Sequence, residues 1–293
     1  MRTITAYMLH CDIPLPNNLP RSACLPMYKD TNPSPYPAFP GGPYRRRYPP
    51  VRVESARLRV GRAYMHYLAA GDGPPLVLIH GYSASSNWWR NNIVGLAAGH
   101  RVYALDLAGF GRSWPKHTFS LKSAMDGIVA WMEAMGLNKA DFCGHSMGGH
   151  ICIRLAEAHP SRVDRLVLTD ASGLPFNARL PELAWRGLRG SGHTGFRFAP
   201  TVVGSSLQAG PFVLYGALRD LLADDVEAAL GQVTAPTLIV WGERDVLIPL
   251  AHGLRLHQAI PGSQLAVIPG AGHNVMLERP AEYNRVVLDF LGR

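Results

Sequence analysis

The sequence predicts an α/β protein: a mostly parallel, doubly wound sheet carrying an inserted helical segment. Three observations predict it. From residue 75 onward, short apolar runs that end in polar loops alternate with stretches of helical spacing. One of those runs passes into a helix through a serine flanked by glycines, Gly144-His145-Ser146-Met147-Gly148. The alternation breaks once, over residues 173–232, and then resumes.

Length and composition agree with this. A chain of 293 residues, 47% of them hydrophobic, buries enough core for one large domain plus an insertion. No apolar run is long enough to cross a bilayer. Cys11, Cys24, Cys143 and Cys152 show no Cys-x-x-Cys spacing, so neither a disulfide framework nor a zinc site is expected. Cys143 and Cys152 read as small core residues. The formal net charge of +8 raises the question of nucleic acid. Much of it, however, sits in residues 1–52, where Arg2, Arg21, Lys29, Arg45, Arg46, Arg47 and Arg52 face only Asp12 and Asp30. The body of the chain is nearly balanced, and no nucleic-acid partner is expected. Residues 1–50 form a proline-rich basic extension to which no chemistry is assigned. It lacks the charged start, apolar stretch and small-residue cleavage site of a secretory signal, so the expected location is cytoplasmic.

Alternation over Val51–Val60 and Arg62–Ala70 predicts an antiparallel hairpin turning at Gly61. Pro75–His80 is a continuous apolar run, suited to a strand covered on both faces. The turn His80-Gly81-Tyr82-Ser83 follows at its carboxyl end, where ligands bind in open α/β sheets. Gly81 lets the backbone bend so that the Tyr82 amide aims at the same point as the Met147 amide, and two convergent donors make an oxyanion hole. His80 reads as a histidine that holds the turn's shape. Ser85–Ala98 has helical character, and Arg101–Leu107 is the next buried strand. The glycines of Ala108-Gly-Phe-Gly-Arg-Ser113 resemble a dinucleotide fingerprint only in part, because Trp114 stands where its third glycine belongs. Phe119–Leu137 is an amphipathic helix leading into a strand at 140–145.

Ser146 is the candidate nucleophile. A serine between strand and helix sits on a very tight turn, and Gly144 and Gly148 lack the β-carbons that would collide there. Val163–Asp170 is a further strand. Residues 173–232 carry helix-like pieces around Pro181–Leu188 and Pro211–Leu230, expected to form a lid. Strands return at Ala235–Asp245 and Gln264–His273, each ending in a polar loop. A serine hydroxyl needs an imidazole to take its proton, and the imidazole needs a carboxylate to fix its tautomer. Ser146, Asp245 and His273 supply these at the carboxyl ends of three of the predicted strands, in that order.

The chain resembles the α/β-hydrolase fold superfamily, in its lid-bearing serine esterase and lipase branch. The matching pieces are His80-Gly81, Asp106-Leu-Ala-Gly-Phe-Gly-Arg-Ser113, Gly144-His-Ser-Met-Gly-Gly149, Trp241-Gly-Glu-Arg-Asp245 and Gly270-Ala-Gly-His273. The resemblance implies Ser146 as nucleophile, His273 as general base and acid, Asp245 as its orienting carboxylate, and the Tyr82 and Met147 amides as oxyanion donors. It implies a core of 51–172 and 233–293 with a lid of 173–232. No cofactor or metal is implied. Asp170 is a rival acid, because some relatives carry the carboxylate after that strand. The expected activity is carboxylic-ester hydrolysis of a small-molecule substrate through an acyl-enzyme. Hydrolysis of a carbon–carbon bond in ring-cleavage products is the alternative, although Gly272 stands where many such enzymes place an aromatic residue. A non-enzymatic small-ligand receptor on the same fold is a third reading.

Overall fold

The computed structural model describes residues 51–115, 119–175, 182 and 199–292. Residues 1–50 and the piece expected around Pro181–Leu188 lie, apart from residue 182, outside them. The eight strands are β1 (Glu54–Val60), β2 (Ala63–Ala70), β3 (Pro75–Ile79), β4 (Arg101–Leu105), β5 (Ala140–His145), β6 (Val163–Thr169), β7 (Thr237–Gly242) and β8 (Gln264–Ile268). They form one sheet in the order β1-β2-β4-β3-β5-β6-β7-β8. Pairing is parallel from β4 through β8, while β2 runs antiparallel to both β1 and β4. The hairpin turns at Gly61, whose φ of +59° suits a residue without a side chain.

Period-two alternation divides the core between the faces of the sheet. Val77, Ile79, Phe142, Leu166, Leu168 and Ile239 face one layer, with Trp131 and Ile151 packed on them. Leu76, Leu78, Cys143, Val167, Leu238 and Val240 face the other, against Trp89, Tyr283 and Phe290. Burial on both faces is why these strands have unbroken apolar sequences. Cys143 and Cys152 are free and buried, as small core residues would be.

The helices follow the strands. α1 (Ile93–Leu96) is short, and the span expected as one helix over Ser85–Ala98 is instead a 3-10 turn at Ser86–Trp89, a bend and α1. Tertiary contacts override the local pattern: the Asn92 side-chain Nδ2 donates to the Met276 carbonyl at 3.0 Å and to Asn284 Oδ1 at 2.9 Å. α2 (Leu121–Ala134) starts at a reciprocal capping pair between Ser120 and Ser123 and buries Leu121, Ala124, Ile128, Trp131 and Met132. α3 (Met147–Ala158) starts directly after Ser146.

Between β6 and β7 lie α4 (Ala199–Ala209), which the sequence pattern did not anticipate, α5 (Pro211–Ala223) and α6 (Glu227–Leu230). α5 and α6 replace the single piece expected over Pro211–Leu230. The break falls at Asp224, which leaves helical geometry to meet α3. There His150 Nε2 donates to its Oδ2 at 2.7 Å and Arg154 grips both oxygens at 2.6 and 2.8 Å. α7 (Leu250–Ala259), α8 (Val275–Glu278) and α9 (Pro280–Leu291) complete the fold.

Candidate active site

Five loops at the carboxyl ends of β3, β5, β6, β7 and β8 converge, and they carry Tyr82, Ser146, Asp170, Asp245 and His273. The parallel sheet makes them neighbours although 191 residues separate the first from the last.

Ser146 has φ 52° and ψ −117°, a conformation natural for glycine and strained for serine. Three surroundings hold it there. Its amide donates to the Thr169 carbonyl at 3.0 Å, and its carbonyl accepts from the amides of Gly149, His150 and Ser172 at 2.9 to 3.1 Å. The turn is also packed without clearance: a β-carbon on Gly144 would overlap the Gly148 carbonyl, and one on Gly148 would overlap the carbonyl oxygen of Ile79. Close approach of backbone to backbone therefore requires both glycines.

His273 is buried, and its Nδ1 donates to Asp245 Oδ2 at 2.8 Å. That bond leaves Nε2 as the acceptor nitrogen of the ring. Asp245 is itself fixed by the Leu247 and Ile248 amides, which donate to its Oδ1 at 2.8 and 2.9 Å. Asp170, the rival acid, is fully buried with φ 43° and accepts from the Gly242 amide at 2.8 Å and the Val275 amide at 3.4 Å. Burial first, and then the neighbouring Asp245 charge, push its carboxyl well above the ordinary range despite those amides. One site thus holds two unlike carboxyls, one that accepts from the imidazole and one behind it that burial pushes toward its neutral form.

His145 precedes the serine and donates from Nε2 to the His273 carbonyl at 2.9 Å. Trp88 stacks on its ring at a centroid distance of 6.3 Å. Burial, reinforced by the His273 charge, lowers its pKa to about 3, so it stays neutral. Nitrogen and oxygen atoms of His145, Asp170 and His273 lie within 4.8 Å of one another, close enough to suggest a metal. Of these atoms His145 Nε2, His273 Nδ1 and both Asp170 oxygens have partners within the protein, while the buried His145 Nδ1 has none among the described residues.

The β3 loop completes the site. A β-carbon on Gly81 would stand 2.9 Å from His145 Nδ1 and 3.1 Å from Ser146 Cβ, so only glycine lets this loop lie against the serine turn. Among the described residues no hydrogen bond engages the Tyr82 or Met147 amide. His80 has the local role expected of it, donating from Nδ1 to the Gly81 carbonyl at 2.8 Å and accepting from the Leu107 amide at 3.2 Å. Burial lowers its pKa, and Asp106 only partly opposes this. α4 reaches the same loop through a hydrogen bond between Ser206 and Ser83.

Sequence reasoning gave Asp106 no role beyond membership of a motif. It is buried and accepts from the Ser86 amide at 2.6 Å, the Arg112 amide at 2.7 Å and His66 Nδ1 at 2.9 Å. Burial alone would raise its pKa; the His66 bond, the Arg112 amide, the His80 charge and the Ser86 amide together hold it at about 2. Asp106 thereby ties the β4 loop to the hairpin and to the segment after the Tyr82 loop. The signal was Gly111, where any β-carbon would overlap the Asp106 carboxylate.

Comparison with known proteins gives a consistent picture. A family described as alpha/beta hydrolase fold matches residues 74–196 and 209–280. A 2-hydroxy-6-oxononadienedioate/2-hydroxy-6-oxononatrienedioate hydrolase from Dechloromonas aromatica is 30% identical over 277 residues, covering 82% of this chain and 94% of its own. The solved structure of a 2-hydroxy-6-oxo-6-phenylhexa-2,4-dienoate hydrolase from Rhodococcus is similar at TM-score 0.68 and 26% identity, over 83% of this chain and all of that one. That of a bacterial membrane phospholipase A is similar at TM-score 0.70 and 25% identity, over 82% and 86%.

Proposed function

Because the chain belongs to the α/β-hydrolase fold family, we propose that it is a serine hydrolase whose triad is Ser146, His273 and Asp245. The observation that carries this reading is the 2.8 Å bond from His273 Nδ1 to Asp245, formed beside a serine held on a strained strand-to-helix turn. In this reading His273 Nε2 takes the Ser146 proton as the hydroxyl attacks a carbonyl carbon. The Tyr82 and Met147 amides, unengaged among the described residues, receive the oxyanion. His273 then delivers the proton to the leaving group, and water activated by the same imidazole releases the acid. The helices of 173–232 act as the lid, with α4 resting on the Tyr82 loop.

For the substrate, the relatives favour carbon–carbon hydrolysis of a ring-cleavage product over the ester hydrolysis that the motifs first suggested, since the similarity to such hydrolases spans 82–83% of this chain and nearly the whole of theirs. A carbon leaving group demands one step that an ester does not. A 2-hydroxy-6-oxo dienoate must ketonise, taking a proton at C5, before the C5–C6 bond breaks; the departing pair then spreads into a dienolate conjugated with the C2 carbonyl. The acyl group stays on Ser146 until water takes it. Ester hydrolysis is the second reading, supported by the phospholipase likeness and by Gly272, which puts no aromatic ring before His273.

The deciding experiment follows the visible absorbance of 2-hydroxy-6-oxo-6-phenylhexa-2,4-dienoate beside release of p-nitrophenol from short esters, for wild type and Ser146→Ala. The expected result is Ser146-dependent cleavage with the dienoate turned over at higher kcat/KM than any ester. Serine-dependent turnover of esters alone would transfer the assignment to ester hydrolysis. Binding of either compound without turnover would leave a receptor.

A further inference from the structure

Among the described residues between β6 and β7, α4 and α5 leave large apolar side chains exposed. α5 packs Val213, Gly216 and Ala217 inward, with Val213 against Gly109 and Gly216 against the Phe119 carbonyl. Its outward stripe is apolar too. Phe212, Tyr215, Leu218 and Leu222 recur at helical spacing, with Phe212 and Tyr215 exposed by 75% and 69%. α4 continues the stripe with Val203 and Leu207 one turn apart, the latter 79% exposed. Two adjoining helices with apolar residues on their outer face form a patch that a protein alone in water does not favour.

The patch has a basic border. An open pocket of about 660 Å³ lies where α4 meets the hairpin, lined by Gln208 from α4 with Arg57, Tyr64, Arg112 and Trp114. Arg59 stands opposite Tyr64 in the register and two residues from Arg57, so it shares their face. None of Arg57, Arg59 and Arg112 pairs with a carboxylate among the described residues; Arg59 bonds the Gly61 carbonyl and Arg112 the Ser55 hydroxyl. Tyr64 and Trp114 are exposed beside them.

We propose that this face, the α4–α5 stripe with its Arg57, Arg59 and Arg112 border, docks on a bilayer surface containing anionic phospholipid. Apolar side chains enter the acyl boundary, the exposed aromatic rings sit at headgroup depth, and the guanidinium groups, which no carboxylate neutralises among the described residues, meet the phosphates. A second copy of the chain fits less well, because joining two such faces would bring two sets of uncompensated arginines together. The inference is independent of the triad chemistry, and Ser146→Ala is expected to bind as wild type does.

The test is co-sedimentation of the full chain with vesicles of phosphatidylcholine alone and of phosphatidylcholine mixed with phosphatidylglycerol, at low and high salt. Binding is expected on the anionic vesicles, falling steeply with salt. Leu207→Asp combined with Phe212→Asp, and Arg57→Glu combined with Arg59→Glu, should each weaken it about tenfold or more while leaving the thermal unfolding midpoint in place. Equal binding to both vesicles, or none, overturns the proposal. So does binding that both double variants leave intact, which would place the contact on the basic extension of residues 1–50. A dimer without lipid that Leu207→Asp with Phe212→Asp disperses would make a second copy the occupant instead.

Discussion

At the scale of single residues, Ser146 combines two separable properties, a hydroxyl and a strained backbone. Ser146→Ala and Ser146→Gly both remove the hydroxyl, so both should reduce hydrolysis about a thousandfold or more. Only glycine relaxes at φ 52°. Ser146→Gly should therefore be more stable than Ser146→Ala by about 1 kcal/mol in urea titration, offset in part by glycine's greater freedom when unfolded. Equal stabilities would mean that the turn stores no strain. The two carboxyls beside His273 separate similarly. Asp245→Asn takes away the charge that fixes the imidazole and should lower kcat/KM by up to about 10⁴. Asp170→Asn replaces a carboxyl that burial and the Asp245 charge already hold neutral, and should change kcat/KM little. The reverse ranking would make Asp170 the acid of the triad. The members of this site were legible in the sequence because each is the chemistry-bearing residue after an apolar run. The preference for Asp245 over Asp170 comes from the resemblance, and the hydrogen bond from His273 Nδ1 agrees with it; the apolar pattern alone does not tell the two apart, since both stand at strand ends.

At the scale of elements, the serine turn depends on backbone packed against backbone, and a single methyl group tests it. Gly148→Ala has no side chain to displace, only the carbonyls of Ile79 and His80. It should cost about 1–3 kcal/mol of stability, visible as a lower thermal midpoint, together with loss of activity as the turn shifts. An unchanged midpoint would show that β3 and α3 can separate freely. The same packing explains what the sequence revealed and what it hid. β5 was read over its full length and the other parallel strands within a few residues, because burial on both faces writes an uninterrupted apolar run. The segment after Ser85 was read as one helix because Asn92 looks like any surface polar residue. Its partners, the Met276 carbonyl and Asn284, are nearly two hundred residues away. α4 went unseen because Gly204, Ser205 and Ser206 are weak helix formers, and α5 was drawn too long because the claim of His150 and Arg154 on Asp224 is a tertiary one.

At the scale of the whole molecule, buried carboxyls of opposite character set how stability responds to pH. Asp106 lies below its ordinary range, at about 2, since the His66 bond and two backbone amides outweigh burial. Between its folded and unfolded values the unfolded chain binds more protons. Its contribution is therefore complete above the ordinary carboxylate range and is lost as pH falls toward 2. Asp141 is the reverse case. It is buried on β5 with an oxygen that lacks a hydrogen-bond partner, and burial, with Arg165 opposing, raises it to about 6. Here the folded chain binds more protons, so the contribution is complete below the ordinary carboxylate range and is lost as pH rises through about 6. Asp170, raised first by burial and then by Asp245, adds to the same loss on the alkaline side. Asp141→Asn removes that titration without changing the side chain's shape. In urea titrations at about pH 4.5 and about pH 7.5, the variant should gain on wild type by roughly 1–2 kcal/mol between the two, solvent near the strand end screening part of the shift. A difference independent of pH would mean that Asp141 is ionised in the folded chain throughout. A larger loss for the variant at the higher pH would mean that its anion is stabilised by Arg165, with burial the lesser force.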